Sequence, residues 1–411
     1  MAEGQSGKRI VVVGGGPAGV LAAIEAKRAD PAAHVLLLTD EACEPYEKPP
    51  LSKSVLTGKA LPEHALIAGA GGVGAQNVVL ERTAVVAAID RAAREVAAAD
   101  GRRYPYDALV LATGSLVREL PQLPLGMARV HYLRTEADAR ALAAALGQAK
   151  NLVVVGGGLI GLEAAASATE LGVRTTVLEV APRILARVCD EETAAFITNE
   201  HRRHGIDLRS GATIVRVNSS SDAVGLMIEG GANFMADLIV VGTGVKPNDS
   251  LAAAAGLATD NGIIVDEHCR TSDPAIFAAG DAVRFPAPHG LVRLENWRHA
   301  LDQGAVAGHN AVGASETYRT VPSFWSEQYD LYIQGVGWPA AQPDVRIRRP
   351  LSGKSLLAFE VVDGVLVYAV GINAQRDLAA ARRLIERRIK VDAATLADPN
   401  RPLASLLKAS A

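Results

Sequence analysis

The sequence predicts an α/β protein with two Rossmann-type dinucleotide-binding domains and a small C-terminal α/β domain. A β-branched run, a glycine-rich turn and an alanine-rich helix occur at 9–29 and again at 152–172. Each copy is followed, further along the chain, by an apolar strand that ends in Thr-Gly. The length of 411 residues also exceeds what one hydrophobic core supports, so two or three domains are expected.

The first copy begins with RIVVVGGGPAG at 9–19. In such a turn the first glycine allows the sharp bend, the second lets the backbone approach a pyrophosphate, and the third allows the helix to pack closely on the strand. The free N–H groups at the helix N-terminus favour phosphate binding. A second apolar strand then leads to two acidic residues. The predicted cofactor-binding residues of this copy are Gly14, Gly16, Pro17, Ala18, Gly19, Asp40 and Glu41.

The second copy, LVVVGGGLIG at 152–161, repeats this design. Glycine-rich turns also occur in purely structural βα units, but here strand, glycines, helix, second strand and acid come together. Its predicted cofactor-binding residues are Gly156, Gly158, Leu159, Ile160, Gly161, Glu163 and Glu179. Two dinucleotide sites in one chain indicate hydride transfer from a nicotinamide to a flavin.

The repetition extends to YDALVLATG at 106–114 and ADLIVVGTG at 236–244, each with an aspartate near its start. Short alternating strands precede both segments, so each half is predicted to contain βαβ, a β-meander and a closing strand. Thr113, Gly114 and Gly244 end these strands and are predicted to contact the cofactors.

A third strand, IFAAGDAV at 276–283, ends in Gly280-Asp281. An aspartate there can simply cap a turn or helix. In flavoproteins this position hydrogen-bonds the ribityl chain of FAD, and the two glycine turns favour that interpretation. Because this strand follows the second copy, the predicted domains are a discontinuous FAD-binding domain (1–115 and 245–320), an NADH-binding domain (116–244) and a C-terminal α/β domain (321–411).

The C-terminal part changes character. LLAFEVVDGVLVYAVGIN contains Asp-Gly between two apolar runs, which predicts a hairpin at Asp363-Gly364. An amphipathic helix is predicted at 375–390. Its basic residues are Arg376, Arg382, Arg383, Arg387, Arg388 and Lys390. Such a face is usually only solvated, but it is also a candidate docking surface for an acidic protein.

The composition excludes several classes of protein. Hydrophobic residues make up 49% and charged residues 21%, as in globular proteins, and the net charge of −3 does not suggest a nucleic-acid partner. We see no apolar run long enough for a membrane span and no signal-peptide pattern. Cys43, Cys189 and Cys269 stand far apart without a CxxC, which argues against a zinc site or redox disulfide and favours the cytoplasm.

The segment YEKPPLSK at 46–53 has two interpretations. Two adjacent prolines stiffen the backbone just before a lysine, as they would if Lys53 were directed at a ligand. Alternatively, the prolines begin a helix, Ser52 lies near its N-cap, and the lysine lies in solvent.

Together these motifs resemble those of the FAD-containing, NADH-dependent ferredoxin reductases of bacterial oxygenase systems, the putidaredoxin-reductase and aromatic-dioxygenase-reductase group. The resemblance covers nearly the whole chain and is most group-specific in PYEKPPLSK, ENWRHALDQG and FWSEQYDLYIQ. It implies a glutathione-reductase-like fold with FAD and NADH as cofactors. It also implies a [2Fe–2S] ferredoxin partner that feeds a cytochrome P450 or Rieske-type oxygenase. Ser323 departs from the family, which often has tryptophan there, and Lys48 replaces a commoner arginine.

The resemblance also implies roles for individual residues. Lys53 would lie beside the isoalloxazine and pair with Glu163, and these two are the predicted catalytic residues. A lysine there stabilises negative charge on the flavin, and a carboxylate keeps a buried ammonium protonated. The alternative for Glu163 is a carboxylate on a helix surface. The other implied FAD contacts are Lys48, Arg118, Glu295, Trp297 and Trp325, for which a surface arginine and core tryptophans are the alternatives.

Glu179 bears on the choice of nicotinamide. A carboxylate at the end of the second strand accepts hydrogen bonds from the ribose hydroxyls and repels a 2′-phosphate. Arg183 is close in sequence and would soften that repulsion, but the carboxylate still favours NADH over NADPH.

Two other functions are compatible with the same fold. An NADH oxidase or disulfide reductase would need a cysteine near the flavin, where this chain has the Pro-Pro-Leu-Ser-Lys segment and Cys43 lies outside the expected place. An NADH-sensing flavoprotein would reoxidise slowly. Turnover with a one-electron acceptor separates a reductase from a sensor.

Overall fold

The computed structural model describes residues 7–220, 222–288 and 290–407. Their α-helices are α1 (Pro17–Ala29), α2 (Glu136–Leu146), α3 (Leu159–Glu170), α4 (Glu191–Arg203), α5 (Ser250–Ala254), α6 (Trp297–Val312), α7 (Gln375–Glu386) and α8 (Ala393–Ala397). Short 3₁₀ helices lie at Pro49–Ser52, Pro62–His64, Val73–Gln76 and Leu403–Ser405. In the part of the chain described, no helix combines the length and apolar character needed to cross a bilayer.

The strands fall into parallel and antiparallel sheets. In chain order they are β1 (Arg9–Val13), β2 (His34–Leu38), β3 (Val79–Glu81), β4 (Val86–Asp90), β5 (Glu95–Ala98), β6 (Arg103–Pro105), β7 (Ala108–Leu111), β8 (Ser115–Val117), β9 (Val130–Tyr132), β10 (Asn151–Val155), β11 (Arg174–Glu179), β12 (Asp207–Ser210), β13 (Ile214–Ser219), β14 (Val224–Ile228), β15 (Asn233–Ala236), β16 (Leu238–Val241), β17 (Val245–Pro247), β18 (Ile263–Ile264), β19 (Ile276–Ala278), β20 (Val283–Ala287), β21 (Gly290–Val292), β22 (Ser323–Gln328), β23 (Leu331–Gly337), β24 (Val345–Pro350), β25 (Leu356–Val362) and β26 (Val365–Ile372).

The chain forms two compact units. The first comprises the described residues of Met1–Pro49, Leu61–Leu116 and Val245–Thr320. The second comprises Pro50–Ala60, Val117–Gly244 and the described residues of Val321–Ala411. The segment that carries Lys53 therefore belongs to the second unit. The boundaries of the three predicted domains stay a prediction.

The first unit is built on a five-stranded parallel sheet of order β19-β7-β1-β2-β3. The fingerprint strand β1 lies at its centre, and its residues from Ile10 to Val13 are buried. A continuous β-branched run is what a strand covered on both faces requires. An antiparallel meander, β4-β5-β6, completes the predicted half.

The second unit repeats this arrangement with the parallel sheet β12-β11-β10-β16-β9 and the meander β13-β14-β15. Again the fingerprint strand, β10, is central, between β11 and β16. The predicted α/β class with two Rossmann-type domains is confirmed.

The C-terminal part of the second unit contains an antiparallel sheet of order β22-β23-β26-β25-β24. The predicted hairpin joins β25 to β26, and Asp363 and Gly364 both have positive φ, at 51° and 72°, as a type I′ turn requires. Helix α7 buries Leu378 and Leu384 in the core of this sheet. It ends at Glu386, earlier than the predicted 390, because Arg388 takes a left-handed φ of 50° that stops the helix.

Candidate active site and cofactor-binding loops

The first glycine-rich turn lies between β1 and α1. Gly14 has a φ of 119°, and a Cβ on it would come within 2.1 Å of the carbonyl oxygen of Ala112. A Cβ on Gly19 would come within 1.9 Å of the carbonyl oxygen of Gly14. These two positions exclude every side chain, because the strand, turn and helix backbones are in direct contact.

The N-terminus of α1 begins without a capping side chain at its N-cap position. Gly16 is the N-cap, makes no side-chain hydrogen bond, and would have nothing within 4 Å of an added Cβ. The first turn also carries no acidic residue and has Pro17 at its start. By contrast, α2 is capped by Thr135 with acidic residues in its first turn. An open, uncapped N-terminus with its positive dipole end is suited to a pyrophosphate.

The second turn, between β10 and α3, has the same geometry. Gly156 has a φ of 113°, and its Cβ would meet the carbonyl oxygen of Gly242 at 2.5 Å. A Cβ on Gly161 would meet the carbonyl oxygen of Gly156 at 2.2 Å. Gly158 caps α3 without a side-chain hydrogen bond and borders open space. The next two predicted contacts follow at the start of α3, where Leu159 is half-buried and Ile160 is 48% exposed.

Glu179 lies at the end of β11 and is held by the backbone. Its Oε2 accepts the N–H of Gly157 at 2.6 Å and its Oε1 accepts the N–H of Ala181 at 2.7 Å. The carboxylate is thus fixed directly beside the glycine-rich turn. Arg183 instead donates to the carbonyl oxygens of Cys189 and Ala186, at 2.8 and 3.1 Å.

The corresponding position in the first unit is not acidic. The strand pairs Val13–Leu38 and Val155–Leu178 place Thr39 where the second unit has Glu179. Thr39 is buried, whereas Asp40 is exposed. Asp40 therefore lies one residue beyond the position that corresponds to Glu179.

Lys48 lies in a small polar cluster of the first unit. Its Nζ is 3.1 Å from Oε1 of Glu41 and lies 4.9 Å from the centre of the Tyr46 ring. The Tyr46 hydroxyl donates to Oε2 of Glu41 at 2.5 Å. Glu41 is thereby oriented by two neighbours just beyond the end of β2.

Two strand ends of the first unit carry predicted FAD contacts. The Thr113 hydroxyl donates to the carbonyl oxygen of Asn248 at 2.6 Å, and Gly114 has a φ of 66°. The Ser115 hydroxyl donates to Oδ2 of Asp281 at 3.0 Å. The Cβ of Gly280 would lie 2.9 Å from the Cβ of Ala18 on α1. This close approach brings the third predicted motif to the first glycine turn.

Trp297 begins α6, whose N-cap is Asn296. The indole Nε1 donates to Oε2 of Glu47, and burial raises the pKa of that carboxyl while the indole hydrogen bond opposes the rise. Glu295 is paired with Arg293, Oε1 to Nη2, at 2.5 Å. Trp297 is thus oriented by a hydrogen bond rather than packed only as an apolar core residue.

The buried Glu163 and the partly buried Lys53 form an ion pair in the second unit. Lys53 Nζ lies 2.8 Å from Oε2 of Glu163, and the two side chains are 19% and 2% exposed. Ser52 also donates to this oxygen, while the Ser326 hydroxyl donates to Oε1 at 2.5 Å. The 3₁₀ turn Pro49–Ser52 orients the lysine, so Lys53 does not extend into solvent as the alternative interpretation proposed.

The remaining predicted contacts also lie in the second unit. Trp325 is half-buried on β22, opposite Gln334 of β23. The backbone N–H of Arg118 donates to the carbonyl oxygen of Gly244 at 2.9 Å, and Gly244 has a φ of 99°. The Arg118 side chain is exposed.

The chain matches known protein families over most of its length. The family model "Pyridine nucleotide-disulphide oxidoreductase" matches residues 8–304, and "Reductase C-terminal" matches residues 323–407. The chain is 40% identical to the anthranilate 1,2-dioxygenase system ferredoxin–NAD(+) reductase component of Burkholderia cepacia, over 97% of this chain and 98% of that protein. It is 35% identical to putidaredoxin reductase of Pseudomonas putida, over 98% and 97%.

Among solved structures, the reductase in a covalent putidaredoxin reductase–putidaredoxin complex matches with a TM-score of 0.93 and 34% identity, over 98% of this chain and 99% of that one. The chain belongs to this family of pyridine-nucleotide-dependent ferredoxin reductases. Its cofactors are FAD and NADH. The glutathione-reductase-like fold implied by the motifs is confirmed.

The residues of the reductase fit these cofactors. Both glycine turns leave open space where a Cβ is missing, at Gly16 and Gly158, and both adjoining helices lack a capping side chain. Gly14 to Gly19 would hold FAD pyrophosphate, and Gly156 to Gly161 that of NADH. In the described residues, no group of three or more His, Cys, Asp or Glu side chains could hold a metal ion.

Two of the three cysteines of the reductase differ from the reactive cysteine of a thiol enzyme. Burial raises the pKa of the Cys189 thiol to about 12 and raises that of Cys269 as well. Both thiols stay protonated at neutral pH and are poor nucleophiles. Cys43 is half-buried.

Sequence reasoning missed several residues of these sites. Ser52 and Ser326 donate to Glu163, Glu47 orients Trp297, and Thr39 borders the first glycine turn. Ser52 lies in the YEKPPLSK segment, directly before Lys53, so the prediction made for Lys53 could have indicated its neighbour as well. Ser326 lies 163 residues from Glu163 along the chain, and no local pattern indicates that contact.

Proposed function

We propose that this reductase carries electrons from NADH through FAD to a [2Fe–2S] ferredoxin that feeds a cytochrome P450 or Rieske-type oxygenase. FAD, held by the turn from Gly14 to Gly19, would supply the conversion between two-electron hydride chemistry and single-electron transfer. The observation that carries the proposal is the largely buried Lys53–Glu163 pair beside the uncapped start of α3. The relatives described above, which are named as ferredoxin reductase components, support the same reaction.

Lys53 and Glu163 are the catalytic residues of this proposal. Lys53 Nζ lies 2.8 Å from the Glu163 carboxylate, and this opposite charge offsets part of the cost of placing the ammonium away from solvent. A positive charge that is fixed in a region of low dielectric stabilises negative charge on a reduced flavin more than a solvated one would. Lys53 thus supplies positive charge for the flavin, and Glu163 orients it.

NADH is the nicotinamide that the second unit favours. Glu179 is fixed by two backbone N–H groups, so its charge is not free to turn away from a 2′-phosphate. Arg183, whose guanidinium is engaged by two carbonyl oxygens, is held away from the role of a phosphate ligand. Arg183 therefore does little to reduce the repulsion between Glu179 and a 2′-phosphate.

The ferredoxin docks, in this proposal, on the basic face of α7 and the turn that follows it. Ferredoxins of such systems are typically acidic, and complementary charge raises association rates. Arg382 is paired with Glu386 at 2.8 Å and is less available. The exposed basic residues are Arg376, Arg383, Arg387, Arg388 and Lys390. A cytoplasmic location completes the proposal, supported by three separated cysteines that form no CxxC.

The experiment that tests the function is NADH-driven reduction of a panel of acidic [2Fe–2S] ferredoxins. We expect rapid ferredoxin reduction, slow oxygen consumption and no reduction of disulfide substrates. Fast oxygen consumption without ferredoxin reduction would indicate an oxidase instead. A reduced flavin that persists in air and reacts poorly with every one-electron acceptor would indicate the sensor.

A further inference from the structure

A chain of buried side chains connects Glu163 with His201 on α4. Ser326 Oγ donates to Glu163 Oε1 at 2.5 Å, and Gln328 Nε2 donates to Ser326 Oγ at 3.0 Å. The next contact joins Gln328 Oε1 to His201 Nε2 at 2.8 Å. Glu163 is 2% exposed, Gln328 is 1% exposed, and Ser326 and His201 are fully buried. Such a chain is polar, continuous and shielded from water along its length.

The chain has a direction. A glutamine amide has one accepting end and one donating end, so when Oε1 accepts from His201, Nε2 faces Ser326. The serine hydroxyl then receives a hydrogen bond and has its single proton left for Glu163. His201 must carry its proton on Nε2, and its Nδ1 is 3.4 Å from the Tyr329 hydroxyl, which donates to it.

The opposite arrangement would disconnect the carboxylate. If the amide of Gln328 were reversed, its oxygen would face Ser326 and take the serine proton. Glu163 Oε1 would then lose its donor, and His201 would need its proton on Nδ1. Burial lowers the pKa of His201, which keeps the ring neutral with one proton to place. The tautomer of His201 therefore selects between the two arrangements.

We propose that His201, Gln328 and Ser326 are positioning residues that hold the Glu163 carboxylate in the orientation in which Oε2 receives Lys53. This inference rests on the proposed role of Lys53 and Glu163 in flavin reduction. Strand β22 of the C-terminal sheet supplies two members and α4 the third, so the orientation of the ion pair depends on elements distant from it in sequence.

A purely structural role would depend on shape, and two substitutions of His201 separate shape from hydrogen bonding. His201→Phe keeps a ring and removes the donor, whereas His201→Gln loses the ring and keeps an N–H near the Nε2 position. We expect His201→Gln to reduce flavin with NADH at nearly the wild-type rate and His201→Phe to be slower by about tenfold, as for loss of one aligned hydrogen bond. The reverse order would overturn the inference.

A readout independent of flavin chemistry is the side-chain amide of Gln328. In ¹⁵N NMR spectra its proton pair, assigned by its absence in Gln328→Leu, should exchange slowly with solvent in the wild type and in His201→Gln. In His201→Phe the exchange should become at least about tenfold faster, because Oε1 has lost its donor and the amide is no longer held with Nε2 facing Ser326. Equal exchange in all three proteins would overturn the inference.

Ser326→Ala provides a second route if His201→Phe does not fold. We expect it to slow flavin reduction to a similar extent, and the double variant with His201→Phe, where it folds, to be no slower than the worse single variant, because one chain is broken in both. The positioning role would be overturned if Ser326→Ala reduced flavin at the wild-type rate. It would also be overturned if the loss of rate in the double variant equalled the product of the two single losses. If Glu163→Gln itself reduces flavin normally, the proposed function of the ion pair fails, which is a separate result.

Discussion

At the scale of single residues, surroundings rather than residue type decide what a lysine does. Lys53 and Lys59 both pair with glutamates of α3, Glu163 and Glu170 respectively. The Lys53 pair is 19% and 2% exposed, while the Lys59 pair is 63% and 49% exposed. Solvent screens the second pair, and such surface pairs contribute about 0–1 kcal/mol. Only the first pair offers a fixed charge in a region of low dielectric.

Lys53→Met is expected to retain FAD and to slow flavin reduction by NADH by about tenfold or more, since the charge that forms on the flavin loses its partner. Stopped-flow absorbance measures this step directly. Lys59→Met is the matched control and should reduce flavin at the wild-type rate. An unchanged rate in Lys53→Met would remove this lysine from the mechanism.

Glu179→Gln is expected to narrow the preference for NADH over NADPH, because the repulsion of a 2′-phosphate is lost. The amide oxygen can keep one of the two backbone hydrogen bonds, so the glycine turn should persist. The ratio of kcat/KM values for the two nucleotides is the measurement, with Asp40→Asn as a control in the first unit. A wild-type preference for NADPH would refute the assignment of Glu179.

At the scale of elements, the aspartates repeated seven residues before Gly114 and Gly244 turn out to tie strands together. Asp107 Oδ2 accepts the N–H of Arg9 at 2.8 Å, and Asp237 Oδ2 accepts the N–H of Asn151 at 2.8 Å. Each carboxylate joins the closing segment to the first residue of the fingerprint strand. The repeat therefore reflects the construction of the sheet as much as the cofactor sites.

Asp237→Ala is expected to destabilise the protein by about 1–3 kcal/mol, because two backbone donors lose a charged acceptor. The N–H groups of Lys150 and Asn151 hold the pKa of Asp237 below its usual value. A lowered pKa in the folded state means that this stabilisation is present above about pH 4 and disappears as the pH falls further. Denaturant unfolding at several pH values measures the difference, which should shrink in acid.

A suitable control for that variant is Asp207→Ala, because the Asp207–Arg209 pair is 45% and 57% exposed. We expect little loss of stability there at any pH. Equal destabilisation by the two substitutions would contradict the role given to Asp237.

Reversing Arg383 and Arg387 to Glu on the basic face of α7 should raise the apparent KM for ferredoxin and flatten its dependence on salt, since steering charge is lost. Reduction of ferricyanide, which needs no docking, should barely change. We expect Arg382→Glu to change the apparent KM for ferredoxin less, because Arg382 is already paired with Glu386. If activity falls equally with ferredoxin and with ferricyanide, or falls with neither, ferredoxin docks on another surface.

At the scale of the whole molecule, the chemistry is expected to reside in the bound flavin rather than in thiols. Purified protein should be yellow, and alkylation of its cysteines should leave NADH-driven dye reduction largely intact, because Cys189 and Cys269 are buried and protonated. Absorbance and circular dichroism check that flavin and fold survive the treatment. Loss of dye reduction in a folded, FAD-loaded sample would reveal a catalytic thiol.

The sequence by itself determined the two dinucleotide turns, the parallel sheets and the C-terminal hairpin. These features depend on local rules: Gly14 and Gly156 need positive φ, buried parallel strands need β-branched runs, and Asp363-Gly364 suits a type I′ turn. Family motifs added the pairing of Lys53 with Glu163, which the distance of 2.8 Å agrees with.

Only the tertiary structure decided which groups surround that pair. Ser52 and Ser326 donate to Glu163, and His201 is linked to Ser326 through Gln328, although Ser52, His201 and Ser326 are each more than a hundred residues apart along the chain. Sheet register likewise showed that Thr39, not Asp40, corresponds to Glu179. Local periodicity carries no information on such contacts, because they depend on the packing of elements distant in sequence.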